Sequence, residues 1–334
     1  MRISIIGKII EMINGYEISK EWTQSHHTHL WCQILKKAKP KCIIGIQPDE
    51  FLCRAGKLQK IPVYDLQHGV IADEHLWYGE VYRMGTPIEK LPDGFLCWDD
   101  QSVATLSKWA SNKGIRVLKI GNPWFLRFAY VQPEDLLVSE ALANCNVIDD
   151  NRPCILVSLQ WAMATFYPDK EFNGVMIDAL EKVILDTSEL YNWVIRLHPV
   201  QMSGDERDMV LNFLQTTFGT EMTRRSIMAS EIPLPILIRK TDLHITHHST
   251  VVVEAAWGGV RSGLLSEQFG PGGEYQTMFS YERSLGIAEL IPQNPECIKQ
   301  WITDTLAKGR GQSTLKDYSQ NLDAFIDEIA GRKA

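Results

Sequence analysis

Apolar residues recur along this chain at two spacings. Short, largely apolar runs at 41–46, 61–66, 94–98, 115–120, 154–158, 193–197 and 243–246 read as strands, and 260–265 as the next strand after them. A further run at 2–6 reads as a first strand, and 220–223 as a short one. Between them, helical spacing appears at 22–37, 50–58, 99–112, 172–185, 204–218, 233–240 and 251–257. The 172–185 stretch, for example, carries Val175, Ile177, Leu180, Val183 and Ile184 on one side. Two more amphipathic helices, 295–308 and 315–330, close the chain.

Strand, helix and strand joined by short connections predict parallel sheets. The pattern breaks at a polar tract, 144–152, ahead of Pro153, and a new strand follows at once. This predicts an N-terminal domain over 1–145, a second domain over 146–310 and a closing helix over 311–334. The expected fold class is α/β, with two Rossmann-like β/α domains facing across a cleft, the GT-B architecture. Fold alone does not give function.

With 334 residues and 45% hydrophobic content, the chain can bury sizeable cores. A net charge of -7 argues against nucleic acid held on a broad basic surface. Seven cysteines without a CxxC pair, several inside apolar runs, predict reduced structural thiols of a cytoplasmic protein. No window approaches the roughly 18 apolar residues of a membrane span, so membrane contact is expected to be peripheral, at the inner face.

The chemistry gathers where strands end. Arg196-Leu-His-Pro199 stands at one exit, and Pro199 holds the residue before it extended. There His198 can donate to a phosphate oxygen, or serve as an ordinary structural histidine. At the next exit, His247-His248-Ser249-Thr250 opens a helix, so that Ser249 or Thr250 can cap it while free backbone N–H groups face an anion. Glu254 follows one turn on and can accept from ribose hydroxyls; the alternative is a plain capping motif with a carboxylate near a positive helix end. Gln160 sits at the exit of the 154–158 strand. His244, His247 and His248 lack the Asp or Cys of a metal set, so no metal is expected, and His244 reads as a buried strand histidine.

In the first half, Gln67-His68-Gly69 ends an apolar strand in the same manner, and His68 can orient an acceptor or serve as a turn residue. Asp49 and Glu74 are candidate bases or nucleophiles by position. The 70–92 stretch, with Trp77, Tyr78 and Tyr82, is long for a connection inside a compact domain, which marks it as functional or mobile.

The order Leu66-Gln-His-Gly69, Gly121-Asn-Pro123, Arg196-Leu-His-Pro199 and His248-Ser-Thr-Val-Val-Val-Glu-Ala255 resembles bacterial surface-polysaccharide transferases of the GT-B type. These include Kdo transferases and sialyltransferases with His-Pro and Ser/Thr motifs, and CDP-glycerol glycerophosphotransferases. The resemblance spans most of residues 42 to 266. It implies that His198, Pro199, His248, Ser249 and Thr250, with Gln160 and Arg196 nearby, hold the phosphate of a cytidine nucleotide, and that Glu254 holds its nucleoside. Gln47-Pro48 is similar to the Gln-Pro motif of capsular Kdo transferases and favours an ulosonic acid donor. The chain departs from the pattern in its short first half and in lacking the Asp/Glu-Asp-Gly motif that supplies the base in several sialyltransferases.

The resulting expectation is transfer of a CMP-linked sugar, with no obligatory cofactor, to a hydroxyl of a surface glycan, lipid-linked in that setting. His68, Asp49 or Glu74 would serve the acceptor side. Rival readings are glycerophosphate transfer from CDP-glycerol, 2-epimerisation of a UDP-sugar, and a non-catalytic nucleotide- or glycan-binding module within a larger synthase.

Overall fold

A computed structural model describes residues 8, 10–143, 145, 151–165, 167 and 174–332. The chain divides into two compact units, 1–122 with 317–334, and 123–316. Among the described residues no helix is long and apolar enough to cross a membrane.

The first unit holds four parallel strands in sequential order: β1 (Ile43–Gly45), β2 (Val63–Leu66), β3 (Gly94–Cys97) and β4 (Arg116–Lys119). One face buries Ile71, Tyr78, Phe95, Leu106 and Trp109, with Phe95 edge-on to Trp109 at 5.6 Å. On the other face Phe325 of the Ser319–Ala330 helix meets Tyr64 edge-on at 4.8 Å. Beside them Arg116 donates to both oxygens of Glu328 at 2.7 and 2.9 Å, an exposed pair that fixes the returning helix more than it stabilises it.

The second unit holds five parallel strands: β5 (Cys154–Ser158), β6 (Asn192–Arg196), β7 (Leu243–Thr246), β8 (Arg261–Leu264) and β9 (Ala288–Leu290), in the order β6-β5-β7-β8-β9. β5, β6 and β7 are buried along nearly their whole length because helices cover both of their faces.

The division between the compact units falls at Asn122, whereas the sequence pattern places a boundary near residue 145. Packing decides it. The Pro123–Ala129 and Leu136–Ala143 helices bury Phe128 and Val138 against Ile236, Phe125 lies 5.1 Å from Trp257, and Arg239 donates to the Phe128 carbonyl. The helix at 319–330 groups with the first unit.

Other expectations shift locally. The helix begins at Asp178, after Ile177, so Val175 and Ile177 reach the core from outside it. Helix replaces the strand expected at 220–223: Gly204–Glu231 runs on past a kink at Gly219 (φ 84°, ψ -179°), with Glu221 paired to Arg224 at 2.8 Å. That backbone conformation is open to glycine and strained for other residues. β9 was not foreseen, because three residues with Glu289 in the middle carry no run. The strand expected at 2–6 and most of the 144–152 tract lie outside the described residues.

All seven cysteines are free thiols; Cys53, Cys97, Cys145 and Cys154 are buried, whereas Cys297 is exposed.

Candidate functional site

In the second unit the chain steps from β5 to β6 on one side, then crosses back to β7 on the other. Connections therefore leave β5 and β7 in opposite directions. The crevice beyond the carboxyl ends of two such strands is where open α/β sheets take ligands. Register fixes what stands there. Ser158 pairs with Arg196 and with Thr246, so Gln160, His198 and His248 each lie two residues past one common row. The sheet thus brings together residues far apart in sequence.

His198 is extended (φ -68°, ψ 148°), as the following proline requires, and begins the short Pro199–Met202 turn of helix. Its Nδ1 accepts from the Val200 N–H at 3.2 Å, which places the proton of the neutral ring on Nε2, the donor form a phosphate oxygen needs. Gln201 closes the turn: its fully buried side chain accepts from the His198 N–H at 2.9 Å and donates to the Gln160 carbonyl at 3.4 Å. The β5 and β6 exits are joined through it. Sequence reading missed Gln201, although a glutamine three residues after a capping residue is a capping-box signal.

At the β7 exit, His247 Nε2 lies 2.6 Å from the Tyr167 hydroxyl, whose oxygen also accepts from Gln293 Nε2 at 2.8 Å. Gln293 donates to the Leu265 carbonyl at 2.8 Å as well. A cavity of about 20 Å³ below, touched by Gln160, His247 and Leu265, has room for about one water molecule, not for a nucleotide. His248 packs between Phe269 and Tyr275, at 4.9 and 4.6 Å. Burial depresses both rings to about 4, with His248 adding to the effect on His247, so both are neutral at pH 7. His244 is the buried strand histidine expected: its ring bonds Ser262 at 2.9 Å and Ser158 at 3.1 Å, and burial lowers it to about 3.

Just ahead of the Val251–Trp257 helix, Ser249 Oγ accepts from the Val251 N–H at 3.3 Å. Thr250 already has helical dihedrals, makes no side-chain cap bond and is exposed. One turn on, Glu254 is packed densely enough that its carboxyl is pushed up to about 7, with nearby Arg196 pulling the other way. Arg196 itself donates to the carbonyls of Ala229 and Ile232, at 2.5 and 2.7 Å, so its guanidinium closes the end of the Gly204–Glu231 helix.

The first unit arranges its exits differently, without a reversal of strand order among the described strands. Gln67 is buried; its amide accepts from the Trp98 N–H at 2.7 Å and donates to the Gly69 carbonyl at 2.9 Å. This locks the turn that exposes His68, with Gly69 at φ 84°. Asp49 is the N-cap of the Glu50–Gln59 helix and accepts from the Leu52 N–H at 2.7 Å. Glu74 is half-buried in the 70–92 segment. The carboxylate that sequence reading passed over is Asp65, in β2, 1% exposed and pushed up to about 6 by burial. A charged residue inside a buried strand run is the signal that marks it. Among the described residues no cluster of three His, Cys, Asp or Glu could hold a metal ion.

No protein-family model matches this chain. No curated protein matches it either. Solved structures do. UDP-GlcNAc 2-epimerase from Neisseria meningitidis, bound to UDP-GlcNAc, is 15% identical over 93% of this chain and 82% of its own, with a TM-score of 0.61. The Methanocaldococcus jannaschii enzyme, in complex with UDP-GlcNAc and UDP, is 14% identical over 93% and 81%, at 0.59. MnaA of S. aureus, solved with UDP, is 12% identical over 93% and 81%, at 0.56. At such identities the likeness shows the fold. This chain has the two-unit, Rossmann-like GT-B architecture.

Proposed function

We propose that this protein is an enzyme acting on a nucleotide-activated sugar, and that its second unit holds the nucleotide. The observation that carries this reading is the β5/β7 reversal, with Gln160, His198 and the 247–250 cluster on one carboxyl edge. His198 would donate from Nε2 to the phosphate, the Ser249 and Thr250 hydroxyls and nearby backbone N–H groups would add donors, and Glu254 would meet the ribose. Donors fixed in advance are worth most where charge develops on a leaving phosphate.

Structures of this fold hold UDP-GlcNAc and UDP, which favours a uridine nucleotide over the cytidine nucleotide implied by the motif resemblance. Epimerisation of a UDP-sugar at C2 is accordingly the first reading of the reaction. The second is transfer of the sugar to a glycan hydroxyl, supported by the order of the Gln-His-Gly, His-Pro and Ser-Thr motifs. In that case His68 and a carboxylate of the first unit would serve the acceptor.

The test is incubation with UDP-, CMP- and CDP-linked sugars, with and without glycan acceptors, followed by NMR and mass spectrometry. Acceptor-free formation of the C2 epimer supports the first reading, and acceptor-dependent release of nucleotide the second. Failure of every nucleotide to bind in calorimetry overturns both. His198→Ala should lower turnover about 10²–10³-fold in a folded protein; near-normal turnover removes His198 from the phosphate site.

A further inference from the structure

We propose that Asp65 is a positioning residue of the first unit: it ties the turn after β1 to the 70–92 segment, and uptake of a proton releases the Trp77 end. Two segments far apart in sequence converge on this carboxylate. The Gln47 N–H donates to Oδ1 at 2.9 Å, and the Trp77 indole Nε1–H donates to Oδ2 at 2.8 Å. Each oxygen has its own donor, so the ionised form satisfies both. A neutral acid places a hydrogen on one of those oxygens, opposite a group that only donates.

The two donors are not equally able to withdraw. Gln47 is held in the main chain at φ 46° between β1 and the helix capped by Asp49. Trp77 is a side chain on a connection. Its own N–H is turned to His75 Nδ1 at 3.0 Å, its carbonyl accepts from Arg83 Nε at 2.5 Å, and the Arg83 guanidinium lies 3.9 Å over its ring. Losing the indole tie therefore loosens Arg83 and the Glu80–Arg83 turn with it. The fold around 73–79 leaves little slack, since a Cβ at Gly79 would stand 2.1 Å from the Asp73 carbonyl oxygen.

The groups around Asp65 set where it titrates. Burial raises its carboxyl to about 6, and the Trp77 and Gln47 bonds and the Arg83 charge oppose that rise. Cys53 of the Glu50–Gln59 helix is pushed up to about 12 by burial; burial also raises Cys97 of β3 and Tyr78, so all three are neutral here. His75 is lowered, by burial and by Arg83. A titration that belongs to Asp65 is absent from Asp65→Asn, whereas one that belongs to His75 is retained there.

The test needs no substrate and is independent of the nucleotide reading. Tryptophan emission is titrated from pH 8 to pH 5 in the wild type, Trp77→Phe and Asp65→Asn. A Trp77-dependent transition centred near pH 6 and missing from Asp65→Asn is expected. Hydrogen exchange of the wild type, corrected for intrinsic rates, should show protection in 70–92 falling about tenfold one pH unit below that midpoint while β3 holds. This arm does not depend on a variant folding. Equal protection of 70–92 at pH 5 and pH 7.5, or a wild-type transition retained in Asp65→Asn, overturns the proposal.

Discussion

Glu254 lies within the field of Arg196, yet Arg196 directs its hydrogen bonds to the carbonyls of Ala229 and Ile232. The carboxyl therefore feels a positive charge that does not outweigh its burial, and it titrates near 7. A carboxyl raised in the folded state contributes stability that is present at low pH and lost as pH rises through the folded value. Glu254→Gln should thus gain stability relative to the wild type as pH rises from about 4.5 to about 7, and keep that gain above it. Arg196→Met should lose about 1–3 kcal/mol throughout, because two carbonyls lose their donor. Urea midpoints at several pH values measure both.

Acid should weaken the second unit through its histidines. His244, His247 and His248 are lowered to about 3, 4 and 4, so the unfolded chain binds their protons first and stability is lost as pH falls from about 6.5 toward 4. Glu254 opposes this with one proton of the other sign. For the second unit a net uptake of about two protons on unfolding is expected between pH 5 and pH 6, and Asp65 of the first unit, raised to about 6, offsets up to about one of them when the whole chain unfolds. His244→Gln should reduce it by about one, read from the slope of unfolding free energy against pH.

Gln201 should matter to binding without touching ligand. Gln201→Leu removes the link between Gln160 and His198, at a cost of about 1–3 kcal/mol in stability. Nucleotide affinity should fall about tenfold, equivalent to roughly 1.4 kcal/mol. Calorimetry with UDP on the folded variant reads this directly, and unchanged affinity would separate the turn from the site.

Asp49 should behave as a cap. Asp49→Ala is expected to cost about 1 kcal/mol, and Asp49→Ser much less, because serine also accepts from the Leu52 N–H. Turnover of Asp49→Ser should stay near wild type. If instead that variant folds with wild-type stability and is inactive, the carboxylate does chemistry.

The sequence by itself determined most of the elements and marked the strand exits at which polar residues stand. Buried parallel strands are continuous apolar runs bounded by polar exits, and a His-Pro dipeptide or a Ser-Thr pair at such an exit is visible in one dimension. It also marked His244 as a strand histidine, because no Asp or Cys joins it, His247 and His248 in a ligand set and it lies inside a strand run.

Tertiary structure decided what depends on neighbours in space. Strand order put the reversal at β5 and β7, and register aligned Gln160, His198 and His248 on one edge; neither is written in local spacing. Packing of Phe128 and Phe125 moved the boundary to Asn122, and Phe325 returned the last helix to the first unit. Arg196, Asp49 and Asp65 make the same point from the side of charge. A charged group's role follows from burial and from the donors and carbonyls that meet it, and those partners lie up to tens of residues away along the chain.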